Sequence, residues 1–278
     1  MKITMVVVLY KLKIFECKTI NTLLQALRIE KRRANEIELI LYDNSPEKQA
    51  FDPSVYDGLR ISYVHDVRNL GVSAAYNYAW TAAKEAGSEW LLLFDHDTDV
   101  TEEYIHQLMN IHASKDKIAA VVPKIWYKDQ MISPVYSNSL RPLKEDEPKV
   151  GIQNHPVMAI NSGSLISMSF LNQIDGFTNE FPLDYLDHWL FYEIYAKGFK
   201  VFVLSATLKH ELSVMDYNQV SFARYKSILN SEILFYKKYK NELLNAFRKQ
   251  LMKRIGKQLL VVKNKKIALY TIKKLFTM

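Results

Sequence analysis

The sequence predicts an α/β fold, a mostly parallel sheet with helices on both faces, followed by a helical basic extension. Three observations predict it. Over the first two thirds of the chain, short apolar runs alternate with helical patterns, as strand–helix–strand units do. Several of these runs end in polar or acidic residues, at the strand ends where open α/β sheets bind ligands. From Tyr217 onward the pattern is helical and no strand signal remains.

The elements follow in order. Ile3–Tyr10 is apolar, but Lys11 and Lys13 arrive at once and no small-residue cleavage site follows, so it reads as a first strand and not as a signal peptide. Further strands are expected at Ile37–Tyr42, Ile61–His65, Trp90–Phe94, Ile118–Val122 and Lys200–Leu204. Helical periodicity marks Thr19–Lys31, Ser73–Glu85 and Glu102–His112 between them. Tyr127–Pro156 breaks the rhythm with Pro134, Pro142, Pro148 and Pro156, and reads as an irregular excursion over one face. Leu183–Tyr195 reads as a helix entered from an acidic turn and ended by Gly198. In the tail, Phe247, Leu251, Ile255 and Leu259 are expected on one helix face and Lys249, Lys253 and Lys257 on the other. A boundary near Ser213 divides the chain into an α/β domain, 1–213, and a helical basic extension, 214–278.

Composition narrows the class. A hydrophobic fraction of 49% and a charged fraction of 24% are ordinary for a globular protein. No apolar run reaches the roughly 20 residues of a spanning helix. The single cysteine, Cys17, excludes an intramolecular disulfide and a multi-thiolate zinc site, and a reducing cytoplasm is the expected address. The net charge of +7 is uneven: beyond Glu242 there are ten basic residues and no acid. Such asymmetry implies a polyanionic partner, nucleic acid or an anionic membrane face.

The chemistry gathers at four places. Trp90-Leu91-Leu92-Leu93-Phe94 runs straight into Asp95-His96-Asp97, and two carboxylates at a buried strand end call for compensation, for which a divalent cation serves. A capping turn through Asp99 or Thr101 is the plainer reading of that stretch. Asp43-Asn44-Ser45 after the second strand suits a base or ribose, and suits a turn equally well. Gly71 and the small residues after Asn69-Leu70 let a helix N-terminus approach a phosphate, unless Ser73 simply caps it. Asp184 and Asp187, at i and i+3, are expected on one helical face, though Asp184 can also be an N-cap. His210 joins this fourth place from the end of the last strand, where an imidazole can face the same crevice.

These residues together resemble a family-2 glycosyltransferase of the GT-A fold. The matching features are the strand ending at Tyr10, Tyr42-Asp43-Asn44-Ser45, Asn69-Leu70-Gly71 with Asn77, and Phe94-Asp95-His96-Asp97. They continue through Asn161-Ser162-Gly163-Ser164-Leu165, Ile174-Asp175-Gly176-Phe177, Leu183–Asp187, Lys197-Gly198 and His210, over roughly residues 3 to 212. Within the family the chain is most similar to bacterial rhamnosyltransferase-like members; His96 stands where these often carry glutamine, and Lys11 where asparagine is usual.

The resemblance implies a nucleotide-sugar site of Tyr10, Asp43, Asn69, Gly71, Asn77, Asp95, Ser162 and Gly163, with Asp43 at the base, Asp95 at the ribose and Ser162-Gly163 against the transferred sugar. It implies Mg²⁺ or Mn²⁺ held by Asp97 and His210, with Asp187 as catalytic base. The donor would be a dTDP- or UDP-sugar and the acceptor a glycan or lipid-linked saccharide in surface polysaccharide synthesis. With a lipid-linked acceptor, the basic tail is expected at the inner leaflet and not on nucleic acid. Two rivals rank lower. A sugar-phosphate nucleotidyltransferase needs a Gly-rich loop after the first strand, where this chain has Leu9-Tyr10-Lys11-Leu12. A non-catalytic nucleotide-sugar-binding subunit has no use for both Asp97 and Asp187.

Overall fold

A computed structural model describes residues 1–29, 36–56, 59–111, 117–140, 147–210 and 220–278. The contacts divide the chain into two units, residues 1–136 with 144–211, and residues 137–143 with 212–278. The expected boundary at Ser213 lies outside the described residues.

The first unit is a mixed α/β structure around one mostly parallel sheet. Its elements are β1 (Ile3–Leu9), α1 (Lys18–Ile29), β2 (Ile37–Asp43), β3 (Arg60–His65), α2 (Val72–Glu85), β4 (Trp90–Asp95), β5 (Thr98–Asp99) and α3 (Glu102–Met109). Then come β6 (Ile118–Tyr127), β7 (Gln130–Ser133), β8 (Val135–Tyr136), β9 (Gly151–Ile152), β10 (Val157–Met158), β11 (Ser164–Ser167), α4 (Met168–Gln173), α5 (Leu186–Ala196) and β12 (Lys200–His210). The sheet order is β3-β2-β1-β4-β11-β6-β12-β5, with β7 beside β6 and β9 beside β12. The strands β3, β2, β1 and β4 are parallel, β11 runs antiparallel between β4 and β6, and β6 and β12 are parallel.

Burial on both faces explains the apolar runs. All of Ile3–Leu9 is buried, as a strand covered on both sides requires. Ile3, Met5, Val7 and Leu9 join Ile20 and Leu23 of α1 and Tyr104, Ile105 and Leu108 of α3 in one core cluster. Helix α2 packs on β1 and β4 and buries Ala75, Ala79 and Ala83, whose small side chains let helix and sheet approach closely.

Some expectations shift. The segment expected to be irregular from Tyr127 begins as a hairpin, because β6 runs to Tyr127 and returns as β7 through Lys128, whose φ of 53° makes the tight turn. Strand β11 carried no separate signal, since a four-residue strand buried on both faces shows no alternation. The helix expected from Leu183 starts at Leu186, because Tyr185 is left-handed at φ 69°. Lys31 and His112, the expected ends of the first and third helices, lie outside the described residues.

The second unit contains α6 (Phe222–Lys238), α7 (Leu244–Val261) and α8 (Lys265–Thr277). Phe247 and Leu251 are buried as expected, but Leu259 is 46% exposed and Gln258 is buried instead. A run of four-residue steps gains about 40° each on a 3.6-residue helix, so the third step carries Leu259 off the face. Gln258 donates to the Tyr225 hydroxyl at 2.7 Å and accepts from the Thr271 hydroxyl at 2.9 Å. Glu232 and Arg254 form a two-bonded ion pair at 2.6 and 2.7 Å. No helix among the described residues is long and apolar enough to cross a membrane.

Candidate active site

Asp43 closes β2 and Asp95 closes β4, so both stand at the carboxyl edge of the parallel strands. After Asp95 the chain turns through His96 and Asp97 into β5, and α1 holds that turn. The Thr19 hydroxyl donates to the Asp95 carbonyl at 2.6 Å and accepts from the Thr98 N–H at 2.9 Å. The Thr19 N–H donates to the His96 carbonyl at 3.3 Å. Cys17 Sγ also donates to that carbonyl, and burial pushes its thiol up to about 11, which keeps it protonated and inert.

Strand pairing brings in the third group. β12 runs antiparallel to β5 with His210 opposite Thr98, which places the imidazole beside Asp97. Ligand atoms of Asp95, Asp97 and His210 lie within 4.8 Å of one another. His210 Nδ1 is 2.9 Å from Thr98 Oγ1 and 3.3 Å from Asp97 Oδ1. Thr98 Oγ1 lies 2.6 Å from Ser162 Oγ, which accepts the Asp95 N–H at 2.9 Å.

The cluster fits a divalent cation. Asp97 Oδ1 is buried and without a hydrogen bond, an acceptor left open. Burial raises the Asp95 carboxyl above its ordinary range; the His210 charge opposes this, while the Asp97 and Asp187 charges add to it. Two carboxylates and one imidazole suit Mg²⁺ or Mn²⁺, and a cation there would relieve both costs.

Asp187 is the second residue of α5. Its carboxylate accepts the His188 N–H at 2.8 Å and lies 3.0 Å from His188 Nδ1, with a quarter of the side chain exposed. Burial pushes its carboxyl up, but the His188 charge and hydrogen bonds outweigh this and leave it below the usual carboxylate range. Asp184 precedes the left-handed Tyr185 and lies outside the helix, so the two acids do not share a helical face as expected.

Sequence reasoning passed over Tyr76 and Thr98. The Tyr76 phenol is fully buried and raised by that burial, by the Asp95 and Asp187 charges and by a hydrogen bond to Asp95. The one available signal was its place beside Asn77 in the Gly71 motif. Thr98 had none, because its partner His210 is 112 residues away.

The remaining expected residues fall into two groups. Tyr10, 40% exposed, and Asn69 are open to solvent. The others are bonded within the protein. Asp43 is fully buried and accepts from the Ser45 N–H, Gln49 Nε2 and the Tyr63 hydroxyl at 2.8–2.9 Å. Gly71, at φ 90°, lies so close to Pro182 that an added Cβ would sit 2.2 Å from its carbonyl oxygen. That same carbonyl accepts the Ser73 N–H at 3.2 Å, so one donor of the α2 N-terminus is already taken. Asn77 uses both ends of its amide on the Phe177 backbone. Ser162 is buried beneath Asp95, and Gly163 donates to the Leu93 carbonyl at 2.7 Å and accepts from the Tyr104 hydroxyl at 2.6 Å. Beside Asp43 opens a cavity of about 470 Å³ lined by Lys11, Lys13, Glu16, Ser45, Glu47 and Gln49.

Residues 15–175, more than half of the chain, match the family described as Glycosyl transferase family 2. Among solved structures the chain is similar to TarS of S. aureus, at 15% identity and a TM-score of 0.57 over 100% of this chain and 49% of that one. It thus spans about half the length of that protein. Against TarS 1-349 in complex with UDP-GlcNAc the identity is 14% and the TM-score 0.57, covering 100% of this chain and 81% of that one. TarS 1-349 in complex with UDP gives 13% and 0.50, covering 96% and 77%. These likenesses show a shared, GT-A-like fold. Comparison with curated proteins returned no match.

Proposed function

The chain belongs to glycosyl transferase family 2, and on that premise we propose that it moves a sugar, rhamnose-like, from a UDP- or dTDP-sugar to a hydroxyl of a glycan or lipid-linked acceptor, with inversion. The observation that carries this reading is the convergence of Asp95, Asp97 and His210 at the strand ends, with the Asp187 charge adding to the rise of the Asp95 carboxyl. The likeness to a protein solved with UDP-GlcNAc and with UDP supports a nucleotide-sugar donor.

Mg²⁺ or Mn²⁺, when bound, neutralises charge that develops on the departing diphosphate. Asp97 and His210 would hold the cation, and Asp95 would orient the donor at the same edge. Asp187 would accept the acceptor hydroxyl's proton, and its depressed pKa, which keeps it ionised near neutral pH, supports that role. One base with no covalent partner gives a single displacement, hence inversion.

The test is a thermal-shift screen of nucleotides and nucleotide-sugars with and without Mn²⁺, on the parent and Asp97→Ala. A ligand at 100 times its dissociation constant stabilises by about 2.7 kcal/mol. The parent should show a Mn²⁺-dependent shift that Asp97→Ala loses. Equal shifts with and without metal, or no shift with any nucleotide, would refute the reading.

A further inference from the structure

We propose that the α7–α8 hairpin is a docking element for an anionic lipid surface, with Leu260, Val261, Leu269 and Phe276 entering the interface. Their exposures are 85%, 59%, 62% and 85%, unusual for large apolar side chains in a unit that has a core of its own. That core is closed without them. Phe247 stacks on Tyr236 at 4.4 Å, Glu232 pairs with Arg254, and Tyr225, Gln258 and Thr271 satisfy one another.

The exposed apolar residues are interleaved with lysines. On α8, Lys265, Leu269, Lys273 and Phe276 fall at i, i+4, i+8 and i+11, and all four are exposed. Those offsets differ by no more than about 80° around a helix, so they form one stripe. On α7, Lys249, Lys253 and Leu260 follow the same rule and are exposed as well. Arg248 Nη2 donates to the Met278 carbonyl at 2.7 Å, so α8 folds back along α7. Leu260 and Val261 end α7, Lys263 lies in the turn, and Lys265 and Lys266 open α8, all exposed.

Charge complementarity selects the occupant. Ten basic residues and no acid follow Glu242, so the partner is anionic. A second copy meeting this face to face would set lysines against lysines. A nucleic acid would reward the lysines but not aliphatic Leu260 and Val261. A bilayer interface takes both, apolar side chains into the acyl boundary and ammonium groups among the headgroups. No residue of the transfer site is involved, so this inference and the proposed function can fail separately.

The test is flotation of the full chain with phosphatidylcholine vesicles, alone or containing one quarter phosphatidylglycerol. The parent should float with the anionic vesicles only and be released by high salt. The double variant Leu260→Ser/Phe276→Ser should bind them at least tenfold more weakly, and Lys265→Gln/Lys273→Gln should bind more weakly as well. All four positions are exposed, and an unchanged melting temperature checks that each variant is folded. Equal flotation of parent and Leu260→Ser/Phe276→Ser overturns the proposal. So does equal binding to both vesicle types, self-association in place of vesicle binding, or oligonucleotide binding that displaces the vesicles and ignores the Leu260→Ser/Phe276→Ser change.

Discussion

Replacing Thr98 with valine should weaken Mn²⁺ binding without touching a ligand. Thr98 is fully buried, and its hydroxyl lies 2.6 Å from Ser162 Oγ and 2.9 Å from His210 Nδ1. The Asp97 charge 3.3 Å from the same nitrogen favours a proton on Nδ1, which then donates to Thr98 Oγ1. The lone pair then resides on Nε2, where a cation held by His210 would meet it. Valine keeps the shape but removes the oxygen, so the ring loses what fixes its tautomer and rotation. Loss of such an outer partner lowers metal affinity by about 10–100-fold, or about 1.4–2.7 kcal/mol. The fold loses about 1–3 kcal/mol from polar groups left unpaired. Calorimetric titration with Mn²⁺, beside denaturant melts of both proteins, separates the two effects. A folded Thr98→Val with Mn²⁺ affinity within about twofold of the parent, well under that outer-partner range, refutes the tautomer argument. A parent that takes up no Mn²⁺ refutes the metal reading itself.

Asp187→Asn should keep donor affinity and cut turnover by about 10²–10⁴-fold, the usual range for a lost general base. Asp184→Asn, measured alongside, should lose less than tenfold, and the reverse result would move the base to Asp184. Asp66, held below the usual carboxylate range by its bonds to Arg68 and the Tyr42 hydroxyl, contributes stability that is full above its unfolded pKa of about 3.9. That contribution is lost only as pH falls through the lower folded value, so Asp66→Asn should be less stable than the parent at pH 6, and the gap should be narrower but still present at pH 2 in urea melts. Gly71→Ala combines φ 90° with a Cβ 2.2 Å from Pro182 O, and should lower the unfolding free energy from denaturant melts by more than the ~1–3 kcal/mol of backbone strain alone.

Strands β1, β2 and β4 were legible because burial on both faces leaves continuous apolar runs, and these three and the more exposed edge strand β3 each begin and end within one residue of expectation. Asp95, Asp97 and His210 were legible as strand-end residues. Their mutual geometry was not, because it depends on β5 pairing with the far end of β12, a register no local pattern encodes. Leu259 failed because a strict four-residue step outruns the helical period. Asp184 failed for a different reason: nothing in Leu183–Asp187 announces that Tyr185 is left-handed and delays the helix.

The positions marked by the Asn161–Leu165 and Asp43–Ser45 motifs serve the scaffold more than their sequence suggests. β11 inserts antiparallel beside β4, and Gly163 bonding to Leu93 sets Ser162 under the Asp95 N–H. Asp43 likewise has its carboxylate closed by Ser45, Gln49 and Tyr63. A group whose bonds are already made discriminates between ligands only by breaking them, at about 1–3 kcal/mol each when buried. Around these closed groups stand neighbours that still face solvent. These are Tyr10 and Lys11 after β1, the cavity side chains Lys13 and Glu47, and Arg68, whose guanidinium is oriented by two hydrogen bonds donated to buried Asp66 while 70% of the side chain remains exposed. Buried Ser45 and Asp66 hold two of them directly, through the Lys11 N–H and the Arg68 guanidinium.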